Sequence, residues 1–316
     1  MRTGIGAITT RLAVLLGVLL LLGGCGGDSS STVTVVWDGT VFPVAVESDV
    51  KYGEGETRSG TNADLLMDIY MPDGDARPNR AAMLIVHGGA WAIGDKSNPS
   101  QVSLAHFYAE RGFVACVINY RMVGDDPVAA PEWWTNLASL FLDEAAVRAS
   151  YAGMVDTATA VRFIRANAGA LGVDPGHVFA IGSSAGAFNV VHVGLDAPDA
   201  YLSTLPVNHL DQSSELQLVI DLWGGFFRRW EVDADDPPVL ILHGTLDPIV
   251  PFALATNLAA SLTEAGVPHE FDPLEGAGHS AWDAVVDGRT LNEIAMDFIA
   301  MHGGIAVIPS VDSETP

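Results

Sequence analysis

Gly182-Ser183-Ser184-Ala185-Gly186 stands between an apolar run, His177-Val178-Phe179-Ala180-Ile181, and a proline-free segment, residues 187–195. The run reads as a short buried strand and the segment as a helix, so the pentapeptide is a strand-to-helix turn. In that setting a G-x-S-x-G pattern has a mechanical meaning. The backbones two residues before and two residues after the serine nearly touch, and Gly182 and Gly186 stand where a Cβ would clash. Ser184 is then held with its hydroxyl exposed and with helix-terminal N–H groups beside it. Ser183 is the rival hydroxyl, but the flanking glycines fit Ser184. Alone, the same pattern also arises by accident in Gly- and Ser-rich turns.

Outward from the turn the chain alternates. Apolar strand-like runs occur at 81–86, 113–119, 178–181, 216–222, 239–242 and 269–274, and helix-like segments at 101–111, 154–171, 184–195, 252–265 and 281–301. Met154, Ala158, Val161, Ile164, Ala168 and Leu171 recur at spacings of three and four, with Arg162 and Arg165 outside the stripe, as one buried helix face requires. Strands without polar interruption, alternating with helices, predict an α/β fold: a mostly parallel central sheet with helices on both faces. Residues 32–37 and 41–46 are short β-like runs expected to pair as an N-terminal hairpin, and 64–71 is a strand ended by Pro72-Asp73-Gly74. Residues 122–151, with Pro127, Pro131 and Trp133-Trp134, are longer than an ordinary connection and read as an insertion after residue 121. A second irregular stretch runs from 196 to 214, and the tail from 304 to 316 reads as flexible. No internal repeat and no second domain is evident.

The chain has 316 residues, 49% hydrophobic and 17% charged, which suits a large core and excludes a disordered protein. Its formal charge of −24 repels nucleic acid and anionic headgroups, so neither is expected as a partner. Arg2 and Arg11 precede an apolar run, residues 12–22, that ends in Gly23-Gly24-Cys25. That run falls short of the roughly 20 residues needed to span a bilayer, so residues 1–24 read as a signal peptide. The small residues before Cys25 resemble a bacterial lipoprotein box. The expectation is an exported protein lipid-anchored at Cys25 through a Gly/Asp/Ser tether, with cleavage and release as the alternative. Residues 25–61 then hold the tether and N-terminal strands, and 62–303 the main domain. Cys116 has no intramolecular partner and reads as a buried thiol in a strand.

A serine hydroxyl needs a base, an orienting acid and a site for a developing oxyanion. His279, in Glu275-Gly276-Ala277-Gly278-His279-Ser280, follows the last predicted strand and can reach over the sheet edge. Asp247, in His243-Gly244-Thr245-Leu246-Asp247-Pro248, follows the strand at 239–242 and can orient the imidazole. Asp221 also ends a strand and is the alternative acid. His87-Gly88-Gly89-Ala90-Trp91 follows the strand at 81–86. Backbone N–H groups of Gly88 and Gly89, with that of Ala185, would form the oxyanion hole. His87 and His243, each before a glycine at a strand end, read as structural. No His/Asp spacing suggests a metal, and no cofactor is implied.

His87-Gly88-Gly89-Ala90-Trp91, then Gly94-Asp95-Lys96, Asn119-Tyr120-Arg121, Asp174-Pro175 and Gly182-Ser183-Ser184-Ala185-Gly186 come in the order seen in one branch of the α/β-hydrolases. The chain resembles the bifunctional acetylxylan/feruloyl-esterase-like (BD-FAE-like) enzymes over about residues 62–302, and is similar to hormone-sensitive-lipase-like esterases and kynurenine formamidases. The resemblance implies the α/β-hydrolase fold and a carboxylesterase with Ser184 as nucleophile, Asp247 as acid and His279 as base. It implies acetyl or feruloyl esters, small or polysaccharide-linked, as substrates. Amide hydrolysis and a non-catalytic binding module are the alternatives. Ala90 and the long insertion depart from the family pattern. Trp91, Trp133, Trp134, Trp223 and Phe226 are the candidate pocket residues, with Phe227 and Trp230 in the same aromatic cluster.

Overall fold

A computed structural model describes residues 33–36, 42–129, 143–195, 208–227 and 232–308, all within the compact unit formed by residues 31–316. In chain order its first half holds β1 (Thr34–Val36), β2 (Val44–Glu56), β3 (Asn62–Pro72), β4 (Arg80–Val86), α1 (Pro99–Ala109), β5 (Val114–Ile118) and α2 (Glu144–Ala166). The second half holds β6 (Val173–Ser183), α3 (Ala185–Leu195), β7 (Leu218–Leu222), β8 (Val239–Gly244), α4 (Phe252–Ala265), β9 (His269–Leu274), β10 (Val285–Val286), β11 (Arg289–Thr290), α5 (Leu291–His302) and β12 (Ala306–Ile308).

Eight strands form one sheet in the order β2-β3-β5-β4-β6-β7-β8-β9. β2, β3 and β5 pair antiparallel, and every pairing from β5 through β4 to β9 is parallel. The alternation along β4 shows why both faces need helices. Ala82, Leu84 and Val86 join a core with Met154 and Val161 of α2, Val190 of α3 and Leu258 of α4, whereas Ala81, Met83 and Ile85 join a second core with Leu104 and Tyr108 of α1 and Ile294 and Phe298 of α5. A central strand buried on both faces is an uninterrupted apolar run, which is how these strands were legible. Cys116 lies in β5 as a buried thiol whose pKa burial pushes up to about 12, which disfavours the reactive thiolate.

Helix ends follow their capping chemistry. Asn98 accepts from Ser100 N ahead of Pro99, Asp143 accepts from Ala146 N, and Thr290 and Glu293 cap each other at the start of α5. That last pair corrects the expected helix at 281–301, which begins only at Leu291. Asp287 and Gly288, both with positive φ, turn the β10–β11 hairpin just before it.

The expected N-terminal hairpin does not form. β1 pairs in parallel with β12, and β2 pairs with β3. Val33 and Val35 are buried in the same core as Ile305, so burial rather than chain proximity selects the partner. Residues 306–308, placed in a flexible tail by the sequence, are therefore a paired strand. Within the supposed insertion, residues 144–151 are the first two turns of α2, with Val147 and Tyr151 buried. Residues 130–142 lie outside the described residues.

Candidate active site

Ser184 sits between β6 and α3 with φ +54°, a left-handed backbone forced by the reversal from strand to helix. A Cβ on Gly182 would meet the Gly186 carbonyl, and a Cβ on Gly186 would meet the carbonyls of Val86 and His87. The turn therefore closes only with glycine at both positions, and it packs against the root of the loop that follows β4. Ser184 N donates to Leu222 O at 2.9 Å, which ties the turn to β7.

The structure brings Ser184, His279 and Asp247 together. His279 Nδ1–H donates to Asp247 Oδ2 at 2.7 Å, and Ser184 Oγ–H donates to His279 Nε2 at 2.9 Å. The first bond sets the tautomer that leaves Nε2 free to accept. Asp247 is fully buried, and its Oδ1 accepts from Ile249 N and Val250 N at 2.8 and 2.9 Å. The two loops bearing Asp247 and His279 are bound to each other: Leu246 N donates to Ala277 O, and Gly276 N to Thr245 Oγ1. Gly244 permits this, because a Cβ there would meet the carbonyls of Ala277 and Gly278. Asp221, the alternative acid, ends β7 opposite Gly182, and its Oδ1 accepts from Gly224 N at 2.7 Å. No hydrogen bond joins it to a histidine among the described residues. Burial pushes its carboxyl up to about 7.

Gly88 and Gly89 line the same cleft as Ser184, and a Cβ on Gly88 would stand 3.0 Å from Ser184 Cβ. Their loop is fastened from several sides. His87 Nδ1 bonds Gly88 O at 2.7 Å, its ring stacks on Tyr120, and Tyr120 Oη donates to His87 O at 2.9 Å. Burial holds the His87 pKa below the usual histidine value, so the ring is neutral and Nδ1 carries the donated proton. Further along, Lys96 N donates to Asn119 Oδ1, and Lys96 Nζ pairs with Asp68 at 2.7 Å and Asp49 at 2.9 Å. The Gly94-Asp95-Lys96 and Asn119-Tyr120-Arg121 motifs are thus two sides of one brace. Ala185 opens α3, where first-turn N–H groups have no intrahelical acceptor.

The cleft over Ser184 encloses about 600 Å³, and Ile93, Gln101, Ile249 and Trp282 form much of its wall. No Asp, Glu, Lys or Arg is among the described residues lining it. Of the aromatics expected there, the three described, Trp91, Trp223 and Phe226, lie elsewhere. Trp91 is buried and donates from Nε1 to Asn189 Oδ1 at 2.9 Å, so it is a strut from this loop to α3. Trp223 is fully buried behind Trp282, edge to face at 4.8 Å, and Phe226 packs on His192. Trp133, Trp134 and Cys25 lie outside the described residues. Trp282 was missed although it stands three positions after His279 in the same loop. Gln101, buried with Nε2 on Ser183 Oγ at 3.2 Å, carried no sequence signal.

The fold is the α/β-hydrolase fold. The BD-FAE family model matches residues 67–152, and the prolyl oligopeptidase family model matches 227–304. The chain is similar to esterase LipQ of Mycobacterium tuberculosis, 26% identical over 296 residues, covering 82% of this chain and 63% of LipQ. It thus spans less than two thirds of the length of the curated relatives it matches. Among solved structures, the propionate-bound esterase from the Planctomycetes species Thermogutta terrifontis superposes with a TM-score of 0.65 at 24% identity, covering 83% of this chain and 96% of that one. A truncated carbohydrate esterase from gut microbiota gives 0.63 at 19% identity, covering 85% and 99%.

Proposed function

We propose that this protein is a serine carboxylesterase working through an acyl-enzyme. The observation that carries it is the unbroken chain of hydrogen bonds from Asp247 through His279 to Ser184, beside the Gly88-Gly89 loop. Ser184 Oγ attacks the ester carbonyl while His279 Nε2 takes its proton. The imidazolium, paired with Asp247, then protonates the leaving alcohol, and water attacks the acyl-enzyme by the same route in reverse. Backbone N–H groups of Gly88, Gly89 and Ala185 hold the oxyanion, each contributing roughly 2.7–4 kcal/mol. The esterase relatives support this chemistry. The resemblance to BD-FAE enzymes favours acetyl or feruloyl esters, small or polysaccharide-linked, and the absence of charge along the described cleft wall suits neutral acyl groups. The N-terminal pattern ending at Cys25 favours export with lipid anchoring in a bacterial envelope.

Ser184→Ala is expected to remove more than about 99.9% of p-nitrophenyl acetate turnover with an unchanged circular dichroism spectrum. Unchanged turnover would sink the mechanism. A second reading, amide hydrolysis, draws on the match of residues 227–304 to the prolyl oligopeptidase family. Comparing kcat/KM for acetyl, butyryl and feruloyl esters with formylkynurenine and a peptide amide separates the two. Faster amide turnover would replace the esterase reading, and failure of a fluorophosphonate to label the protein would remove both.

A further inference from the structure

We propose that His243 is a positioning residue: its Nε2–H, donated to the Val250 carbonyl and facing Asp247 Oδ2, holds the Val250 backbone that keeps the Asp247 carboxylate aimed at His279. The inference rests on the triad reading above. His243 lies near the end of β8 with its ring fully buried, four residues before Asp247. Nε2 is 2.9 Å from Val250 O and 3.3 Å from Asp247 Oδ2. Both are acceptors, so this nitrogen carries the proton; a bare Nε2 would face two oxygen lone pairs. Nδ1 is buried without a hydrogen-bond partner among the described residues, so a second proton there would have no acceptor. The geometry therefore admits one tautomer, neutral with hydrogen on Nε2. Burial acts the same way, holding the ring's pKa below the usual histidine value against the raising effects of the Val250 carbonyl and Asp247; His279 lowers it further. Asp247 and His279 are the titratable groups that bear on this ring, and Phe252 of α4 packs across it.

The consequence is a clamp. Asp247 receives three N–H donors, Ile249 and Val250 on Oδ1 and His279 on Oδ2, and His243 Nε2 stands 3.3 Å from Oδ2. Val250 closes the ring of contacts, since its N–H donates to Asp247 while its carbonyl accepts from His243. Rotating the carboxylate away from His279 would break bonds at both oxygens together. A side chain that only filled space would need no N–H at this atom.

The test pairs His243→Leu, which removes the donor, with His243→Gln, whose amide N–H can reach the Nε2 position. For p-nitrophenyl acetate, His243→Leu should lower kcat roughly 10–100-fold at unchanged KM, the result of releasing Val250 and with it the Asp247 carboxylate, and His243→Gln should recover most of it. A His243→Leu protein that melts earlier but keeps kcat within about twofold, or a Gln variant as slow as Leu, overturns the proposal. Should His243→Leu not fold, ¹⁵N imidazole spectra of the wild-type protein decide it. The His243 ring should stay neutral with hydrogen on Nε2 from about pH 5 to about pH 9, and an Nδ1–H tautomer or an imidazolium near neutrality would refute it. That measurement needs no substrate, so its outcome is separate from a wild-type protein that hydrolyses no ester, which would remove the esterase reading instead.

Discussion

Two aspartates end neighbouring strands of the sheet, and their surroundings give them opposite characters. Asp247 accepts from three N–H groups, whereas Asp221 keeps one oxygen on Gly224 N and the other, buried, without a partner among the described residues. Burial therefore raises the Asp221 carboxyl from 3.8 to about 7. Unfolded, that carboxyl gives up its proton near its ordinary value; folded, it keeps the proton to about neutrality. Between those limits the native state holds more protons than the unfolded chain, so this group makes stability fall as pH rises from about 4 to about 7, and level off above. Asp221→Asn should abolish the slope. Its urea midpoint, measured against wild type, is expected to gain from pH 4.5 to about pH 7 and then hold; a gap that stays constant from pH 4.5 to pH 8 would contradict the assignment. Sequence position could not separate the two aspartates by environment, because both simply follow apolar runs. The Ser, Asp, His chain order fits both, and only the family resemblance favoured Asp247.

At the scale of elements, α2 carries a feature that its pattern conceals. Its apolar stripe from Met154 to Ile164 announces a buried helix, yet Asp156 lies within the same turns and is almost fully buried. Its partner is Arg121, in the segment after β5: Nη2 reaches Asp156 Oδ1 at 2.7 Å, Nε bonds both oxygens, and Arg121 Nη1 donates to Glu56 O on β2. The pair locks β2, the β5 exit and α2, and Gly55 leaves room for the guanidinium. Asp156→Ala would strand a buried cation, at a cost of about 3–5 kcal/mol in chemical denaturation. A loss below about 1 kcal/mol would show that water reaches Arg121. The motif Asn119-Tyr120-Arg121 was visible in the chain, but its acid, 35 positions away, was not. A helix-like segment was legible at each of α1 to α5, though apolar periodicity carried only α2, while the start of α5 depended on a turn at Asp287-Gly288 and a cap at Thr290 that an apolar count passes over.

For the whole molecule, the charge of −24 is a standing repulsion that the fold must contain. Screening should relieve it. Raising sodium chloride from about 0.01 M to about 0.15 M shortens the Debye length from about 30 to about 8 Å and should raise Tm, by about 2–4 °C for each kcal/mol recovered. A Tm that falls over this range in scanning calorimetry would show that specific surface ion pairs outweigh the repulsion. The cleft over Ser184 is set apart from this field, since no charged side chain is among the described residues of its wall.

By itself the sequence determined the strand-and-helix alternation, the two glycines that let the Ser184 turn close, and the loops that carry Asp247 and His279. These are local matters: side-chain period, Cβ clashes and the order of motifs along the chain are written in neighbouring residues. Tertiary structure alone decided the rest. It took Trp91, Trp223 and Phe226 into the core and left Trp282, Ile93 and Ile249 at the cleft, paired β1 with β12, and set His243 against Asp247. Each depends on which surfaces meet across the sheet, and burial free energy belongs to the assembled contacts rather than to any single stretch of chain.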